Sequence, residues 1–454
     1  MIDQDAKYIQ MTQSPVRRLI AKLAVPCIIS MLVTSFYNMA DTYFVDELQS
    51  NAASAAVAIS FSMMSVIQAI GFFFGQGSGN YISRALGSKN HEEAGIMAST
   101  GFFSAFAIGG VICLLGQLLL EPLCYLLGST EDMLPYTKDY LGVILLGAPF
   151  MTASLVLNNQ LRFQGAAMYA MVGITAGAVI NVGLDYVLIH HLQMGVAGAG
   201  WATISGQIIS FFVLLIGSFR GQNLRIGFGK IRLKWFYYKM IFKGGLPSLA
   251  RQFLAAFATA SLSHSAGAYG GEAGIAAMGA VQRITMFGAS AMLGFGQGFQ
   301  PVCGYNYGAK LYHRVREGFW FCTKVATAVL FVVGAAGFLF AENMVGLLRN
   351  DAQVIEIGKW ALRFQCITFP VQAWIVTSNM LQQSIGRTVP ATFLSVARQG
   401  VFFIPMVLML PLFMDITGVQ IAQSVADVCT FLCALPIQLH VLRNLERDHR
   451  PEKA

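Results

Sequence analysis

The sequence predicts an all-α membrane protein of twelve transmembrane helices, set out as two six-helix lobes in parallel repeat. Three observations lead there. The 454 residues are 56% hydrophobic and only 11% charged, whereas a soluble domain carries about 25% charged residues. Apolar runs recur at the length of about 20 residues that a helix needs to cross a bilayer. The two halves also match one another at one constant spacing.

The chain opens on polar, mixed-charge residues. Its first apolar run is too long for the core of a cleaved leader, so residues 19–44 are read as a retained first span. Further spans are expected near 53–78, 94–119, 135–158, 165–189, 195–218, 240–265, 273–300, 317–340, 354–380, 388–412 and 416–442. Gly87-Ser88-Lys89-Asn90, Gly128-Ser129, Gly221-Gln222-Asn223 and Gly270-Gly271 mark breaks between them. The 46 glycines are spread through the apolar runs, where small residues let helices approach closely. The eight cysteines show neither metal-ligand spacing nor a disulfide framework. Cys429 and Cys433, one turn apart, read as small packing residues.

Positive charge sets the orientation. Of 30 Lys and Arg, 22 fall at the termini or in even-numbered loops, and seven of those lie between Arg220 and Lys243. Only Lys138, Arg349 and Lys359 occupy odd-numbered loops, where acids such as Glu47, Glu121, Asp132 and Glu272 collect. Both termini are therefore expected in the cytoplasm, in a bacterial cytoplasmic membrane. The net charge of +8 faces an anionic leaflet and calls for no nucleic acid.

At one constant offset Pro26 meets Pro247, Phe74-Gly75-Gln76-Gly77 meets Phe295-Gly296-Gln297-Gly298, and Gly87 meets Gly308. Asn158 meets Asn379 and Gly165 meets Gly386 at the same spacing. Collinear matches of this kind indicate duplicated units. Six spans per unit put both the same way up, with the substrate path between them. The expected division is an N-terminal lobe over 1–220, a basic bridge over 221–243 and a C-terminal lobe over 244–454.

The stretch Ala24–Asp41 organises the functional reading. No charge lies between Lys22 and Asp41, so a helix through it carries an acid toward the membrane interior. Such acids face a protein interior or a watery cavity and mark ion or proton paths. Asn38 and Asp41 share a helix face, as do Asn181 and Asp185, while Thr203 follows Trp201 in the sixth span. Carboxylates, amides and hydroxyls are the oxygen donors that hard cations take, and protons take the same carboxylates. H+ or Na+ is the expected coupling ion, with possible Na+ at Asp41, Asn181, Asp185 and Thr203. The plainer readings are an acid snorkelling at a span end, for Asp41 and Asp185, and helix–helix hydrogen bonding, for Asn181 and Thr203. Pro26 and Pro247 each remove a backbone donor and are read as hinges, against a static kink.

Tyr140, Asn158 and Gln164 are candidates for lining a cavity in the first half. Arg251, His264, Arg283, Arg363, Arg398 and Asp427 are the ionisable outliers of the second, with Arg398 and Asp427 a candidate structural pair. His264 in Ser261-Leu-Ser-His-Ser265 has no nucleophile elbow around it. No enzyme chemistry and no cofactor are expected.

Asp41 with Pro26, Gly79-Asn-Tyr-Ile-Ser-Arg84-Ala-Leu-Gly87, Gln300-Pro-Val-Cys-Gly-Tyr305-Asn306-Tyr307-Gly308-Ala309 and Asn181-x3-Asp185 resemble MATE (multidrug and toxic compound extrusion) transporters, of the wider MOP type, over essentially the whole chain. Ser14-Pro15-Val16 and Tyr81-Ile-Ser-Arg84 look most like the bacterial MepA-like branch. The resemblance implies two six-helix lobes in a V and export of amphipathic organic cations against inward H+ or Na+. It places the family's cation site on Asp41, Asn181, Asp185 and Thr203, with Tyr140 beside it, in a protein expected to work as a monomer among membrane lipids. Some members carry further acids in spans seven and ten. Here span seven has none, and Asp351 and Glu356 stand only at the start of span ten. The alternative is a lipid or lipid-linked oligosaccharide flippase, which Arg251, Arg283 and Arg363 keep open.

Overall fold

The computed structural model describes residues 4–46, 50–220, 224 and 226–447; side chains at 4, 38, 41–43, 45, 46, 51 and 446 lie outside that description. All regular structure among the described residues is helical. A short α1 (Gln4–Gln13) leads into α2 (Val16–Asp46), α3 (Asn51–Gly87) and α4 (His91–Leu118). A turn of helix, α5 (Leu120–Leu126), precedes α6 (Leu134–Phe163), α7 (Ala167–Tyr186) and α8 (Gly195–Arg220). The second half follows with α9 (Trp235–Gly308), α10 (Tyr312–Leu339), α11 (Ala341–Leu348) and α12 (Ala352–Ser384). It ends on α13 (Thr388–Val396), α14 (Ile404–Met409) and α15 (Pro411–Arg447). Among the described residues, nine helical segments are long and apolar enough to cross a membrane. The other three expected spans are α12 and the two halves of α9, which bends at Gly271 (φ 58°). Those three are long but more polar.

The duplication seen in the sequence is present in the backbone. Lys89 (φ 60°) and Lys310 (φ 59°) end the matching helices α3 and α9 in the left-handed conformation, and Gly165 (φ 77°) matches Gly386 (φ 82°). Asn158 Nδ2 donates to the carbonyl of Ala170 at 3.2 Å. Its equivalent Asn379 donates through Nδ2 to the carbonyl of Ala391, the equivalent of Ala170, at 2.7 Å. The short α5 and α11 also correspond. The expected bridge is partly helical, since α9 already begins at Trp235. Its described part lies on α4, with the Gly227 N–H donating to Ser99 Oγ at 3.2 Å and the Phe228 and Phe103 rings 4.1 Å apart.

The lobes are joined at one end and separate at the other. At the end carrying the basic loops, one buried core runs through both halves, from Ile20, Ile82, Leu86 and Leu161 to Phe299, Cys303, Phe319 and Leu381. Toward the opposite end it gives way to separate cores. Val57, Ile67, Ile144 and Ile204 belong to the first half, and Leu262, Val281, Leu362 and Val407 to the second. The result is a V whose arms meet at the basic end.

Small residues make that junction close. A Cβ on Gly87 would strike the carbonyl of Tyr305, and one on Gly308 would strike that of Arg84, the position equivalent to Tyr305 in the other half. This reciprocal contact is the mark of a pseudo-twofold axis between α3 and the end of α9. Arg84 Nη1 adds a bond across it to the carbonyl of Ser384 at 2.7 Å. Gly87→Ala is expected to force the backbones apart and to lower stability by about 1–3 kcal/mol. Thermal unfolding of the purified protein measures it. Gly183→Ala, where a Cβ meets nothing within 4 Å, is the control that should not move.

Candidate functional site

A cavity of about 630 Å3 lies between the arms. Both lobes line it. Ser30, Met31 and Thr34 come from α2, one and two turns beyond Pro26; Arg251 and Gln252 come from α9, one turn beyond Pro247. Both prolines are buried inside their helices. Ser30 Oγ donates to the carbonyl of Pro26 at 2.9 Å and Thr34 Oγ1 to that of Ser30 at 2.8 Å. Both are back-bonds to carbonyls four residues earlier; the acceptor that Pro26 leaves without its helical donor is the Lys22 carbonyl, one turn before the proline.

In the first lobe, α7 and α8 touch through Gly177 and Gly206. A Cβ on either would stand 2.7 Å from the other's carbonyl oxygen. This close seam carries Asn181 against Thr203, with Nδ2 and Oγ1 3.5 Å apart, the outer limit of a hydrogen bond. Both line the cavity. Asn181 Oδ1 is buried without a hydrogen-bond partner among the described residues. One turn along, Asp185 is fully buried, just before the π-helical turn Val187–His191. The site therefore presents an acid, an amide oxygen and a hydroxyl on two adjoining helices. Asp41 and Asn38 stand on α2, but their side chains fall outside the described residues.

The second lobe is built differently. At the repeat positions equivalent to Asp41, Asn181 and Asp185 stand Leu262, Phe402 and Met406. Its polar centre is instead Asp427, fully buried on α15. Arg398 Nε donates to Oδ1 at 2.7 Å, Gln423 to the same oxygen at 3.0 Å, and Gln372 to Oδ2 at 2.8 Å. Arg398 sits in a second π-helical turn, Ala397–Phe403, which turns Arg398, Gln399 and Phe403 toward the cavity.

The remaining candidates divide. Asn158 lines the cavity while bonding α7. Tyr140 is not a lining residue: it is fully buried in the core of the first lobe, and its hydroxyl donates to Met64 Sδ at 3.7 Å. Gln164 caps α6 at the junction, where its carbonyl accepts from Tyr305 Oη at 3.5 Å. His264 is exposed and outside the lining. Of the three arginines that kept a flippase open, only Arg251 lines the cavity. Arg363 is half-buried elsewhere, its Nε donating to the carbonyl of Phe338 at 3.3 Å and its guanidinium 5.1 Å from the Trp360 ring. Sequence reasoning passed over the nine glutamines of the lining, among them Gln68, Gln207, Gln282 and Gln365, and over Arg162. A signal existed: both halves of α9 and α12, which carry five of those glutamines, are the spans that fall below the hydropathy of the rest.

The sequence matches the MatE family profile over residues 26–187 and 247–409, two blocks that begin at the equivalent prolines Pro26 and Pro247. Multidrug export protein MepA of Staphylococcus aureus is 26% identical over 443 residues, covering 97% of this chain and 96% of its own. Multidrug export protein MepA of Staphylococcus saprophyticus is 25% identical over 98% of this chain and 97% of its own. Among solved structures, the outward-facing conformation of a multidrug resistance MATE family transporter superposes with a TM-score of 0.91 at 24% identity, covering 97% of this chain and 98% of that one. It has the same fold. With both repeats matched over most of their length, the chain belongs to the MatE family of multidrug efflux transporters.

Proposed function

We propose that the protein exports amphipathic organic cations across the cytoplasmic membrane in exchange for H+ or Na+, bound in the first lobe by Asp41, Asn181, Asp185 and Thr203. The observation that carries this reading is Asn181 Oδ1, buried on the cavity wall with no hydrogen-bond partner among the described residues, one turn from the fully buried Asp185. A carboxylate in low dielectric takes a proton or a cation to remain there. The orientation supports it as well. With the basic loops in the cytoplasm, the joined end of the V is cytoplasmic and the cavity opens outward, ready to take an ion from outside. Occupation of the acids bends α2 at Pro26, with Pro247 as the matching hinge of α9; the cavity narrows and the drug leaves. The loaded lobes then rock inward and release the ion, as parallel repeats around a central site allow.

Asp41→Asn should abolish gradient-driven export while leaving the protein in the membrane. Dye export from proteoliposomes, under a pH gradient and separately under a sodium gradient, measures it and identifies the ion. Export at the wild-type rate by that variant would show that the scheme is wrong.

A further inference from the structure

The export reading leaves two charges of the cavity unused. Arg162, in the last turn of α6, lies at the base where the arms join; Arg251 stands on the wall above it, one turn past Pro247. Arg162 is 2% exposed. One of its terminal nitrogens donates to Asn159 Oδ1 at 2.6 Å, and its Nε is buried with no partner among the described residues. Arg251 makes no hydrogen bond or ion pair with any described residue and faces the cavity. Both guanidinium-bearing residues line the one cavity. The cavity's third arginine differs, since Asp427 neutralises Arg398. Among the described residues no carboxylate lines the space.

An unpaired guanidinium within a membrane span is expensive, and such residues pair or serve a ligand path. Guanidinium is also the side chain whose fork of donors matches a planar oxyanion. The counterpart of Arg251 one turn past Pro26 is the small Ser30, so a guanidinium at this position is not shared by the two repeats. We infer that Arg162 and Arg251 form an oxyanion receptor at the base of the cavity. It takes a carboxylate, phosphate or sulfonate group of the exported molecule, so amphipathic zwitterions and anions are substrates beside simple cations. The amides of Gln68 and Gln252 and the apolar Met31, Leu155 and Leu293 supply the rest of an amphipathic site. The inference rests on the export reading for its direction of transport, and on the geometry alone for binding.

The test uses the purified full-length protein in neutral detergent and compares 1-pyrenebutyrate with its uncharged amide by fluorescence titration. The wild type is expected to bind the carboxylate about tenfold or more tightly than the amide, the scale of one charge-assisted hydrogen bond. Arg251→Gln should abolish that preference, while Arg251→Lys keeps part of it. Equal binding of acid and amide by the wild type would overturn the receptor without any variant being needed. So would an unaltered preference in Arg251→Gln. Competition by phosphatidylglycerol but not by inorganic phosphate would identify a lipid headgroup as the oxyanion's source. Competition by inorganic phosphate would identify a free anion. Either outcome supports the receptor. Gradient-driven export of tetraphenylphosphonium from proteoliposomes tests the export reading separately: its failure beside a retained carboxylate preference removes transport and leaves the receptor standing.

Discussion

Asp427→Ala is expected to destabilise the protein by about 3–5 kcal/mol, the penalty for leaving a buried ion without its partner. The argument comes from the number of donors involved. The carboxylate is fully buried and accepts from Arg398, Gln423 and Gln372. Deleting it strands a guanidinium and two amides on the wall of a cavity within the membrane. It also unties α12, the π-turn after α13, and α15, which meet at no other charged residue pair among the described ion pairs. The pair as a whole contributes much less than the loss of one member, because both ions gave up their hydration to form it. The double variant Arg398→Met with Asp427→Leu should therefore recover most of the stability lost by Asp427→Ala. Thermal unfolding followed by tryptophan fluorescence in detergent measures both. If single and double variants unfold at the same temperature, the ion pair is not what holds these helices.

Most of the architecture was legible in the sequence, and the reasons are physical. Hydrocarbon forces long apolar helices, so composition and run length suffice to count spans. Duplication leaves its mark wherever backbone geometry tolerates few residue types. Gly165 and Gly386 keep the left-handed conformation, and Gly87 and Gly308 keep the junction close, so these are the positions at which the constant offset survives. The pairing of Arg398 with Asp427 was legible for a similar reason: two charges in neighbouring spans have few other places to go. What the sequence did not reveal is where the two repeats touch. The first half of α9 lies against α3 of the other lobe, with Gly244 against the backbone of Gly77. The second half lies against α2, where Ser35 and Ser290 share a hydrogen bond of 2.8 Å. Backbone carbonyls and small hydroxyls make these contacts, and neither announces its partner in the sequence.

The site was less legible than the fold. Asn181, Thr203 and Asp185 stand out because helical spacing sets polar residues on one face, and Gly177 and Gly206 then press the two helices together. Tyr140 stands back from the cavity wall, its ring in the core of the lobe and its hydroxyl donating to Met64 Sδ at 3.7 Å. Glutamine is uncharged and individually inconspicuous in a span, so the amide-rich lining emerges only once nine of them are seen to face one space. Arg162 is hidden by its position near a helix end, where an arginine reads as a topology signal. Burial, at 2% exposure, distinguishes it from the other basic residues of the loops.

Asp185→Asn is expected to reduce concentrative export to simple equilibration. Asparagine keeps the size and one acceptor oxygen but cannot exchange a proton or hold a cation by charge, so helix packing survives and the coupling does not. The size of the effect follows from the driving force. A tenfold ion gradient is worth about 1.4 kcal/mol per ion and, coupled one to one, concentrates substrate at most about tenfold. Wild-type proteoliposomes should approach that ratio, and the variant should stop near unity whatever its initial rate. Asp185→Glu tests charge against position: it retains the ionisable group, but its longer side chain must find room where Asp185 is fully buried. Partial coupling in Asp185→Glu with none in Asp185→Asn assigns the role to the carboxylate itself. Full concentration by Asp185→Asn would move the coupling ion away from α7, because a group that cannot ionise cannot transmit a proton or sodium gradient to the cavity beside Asn181 and Thr203.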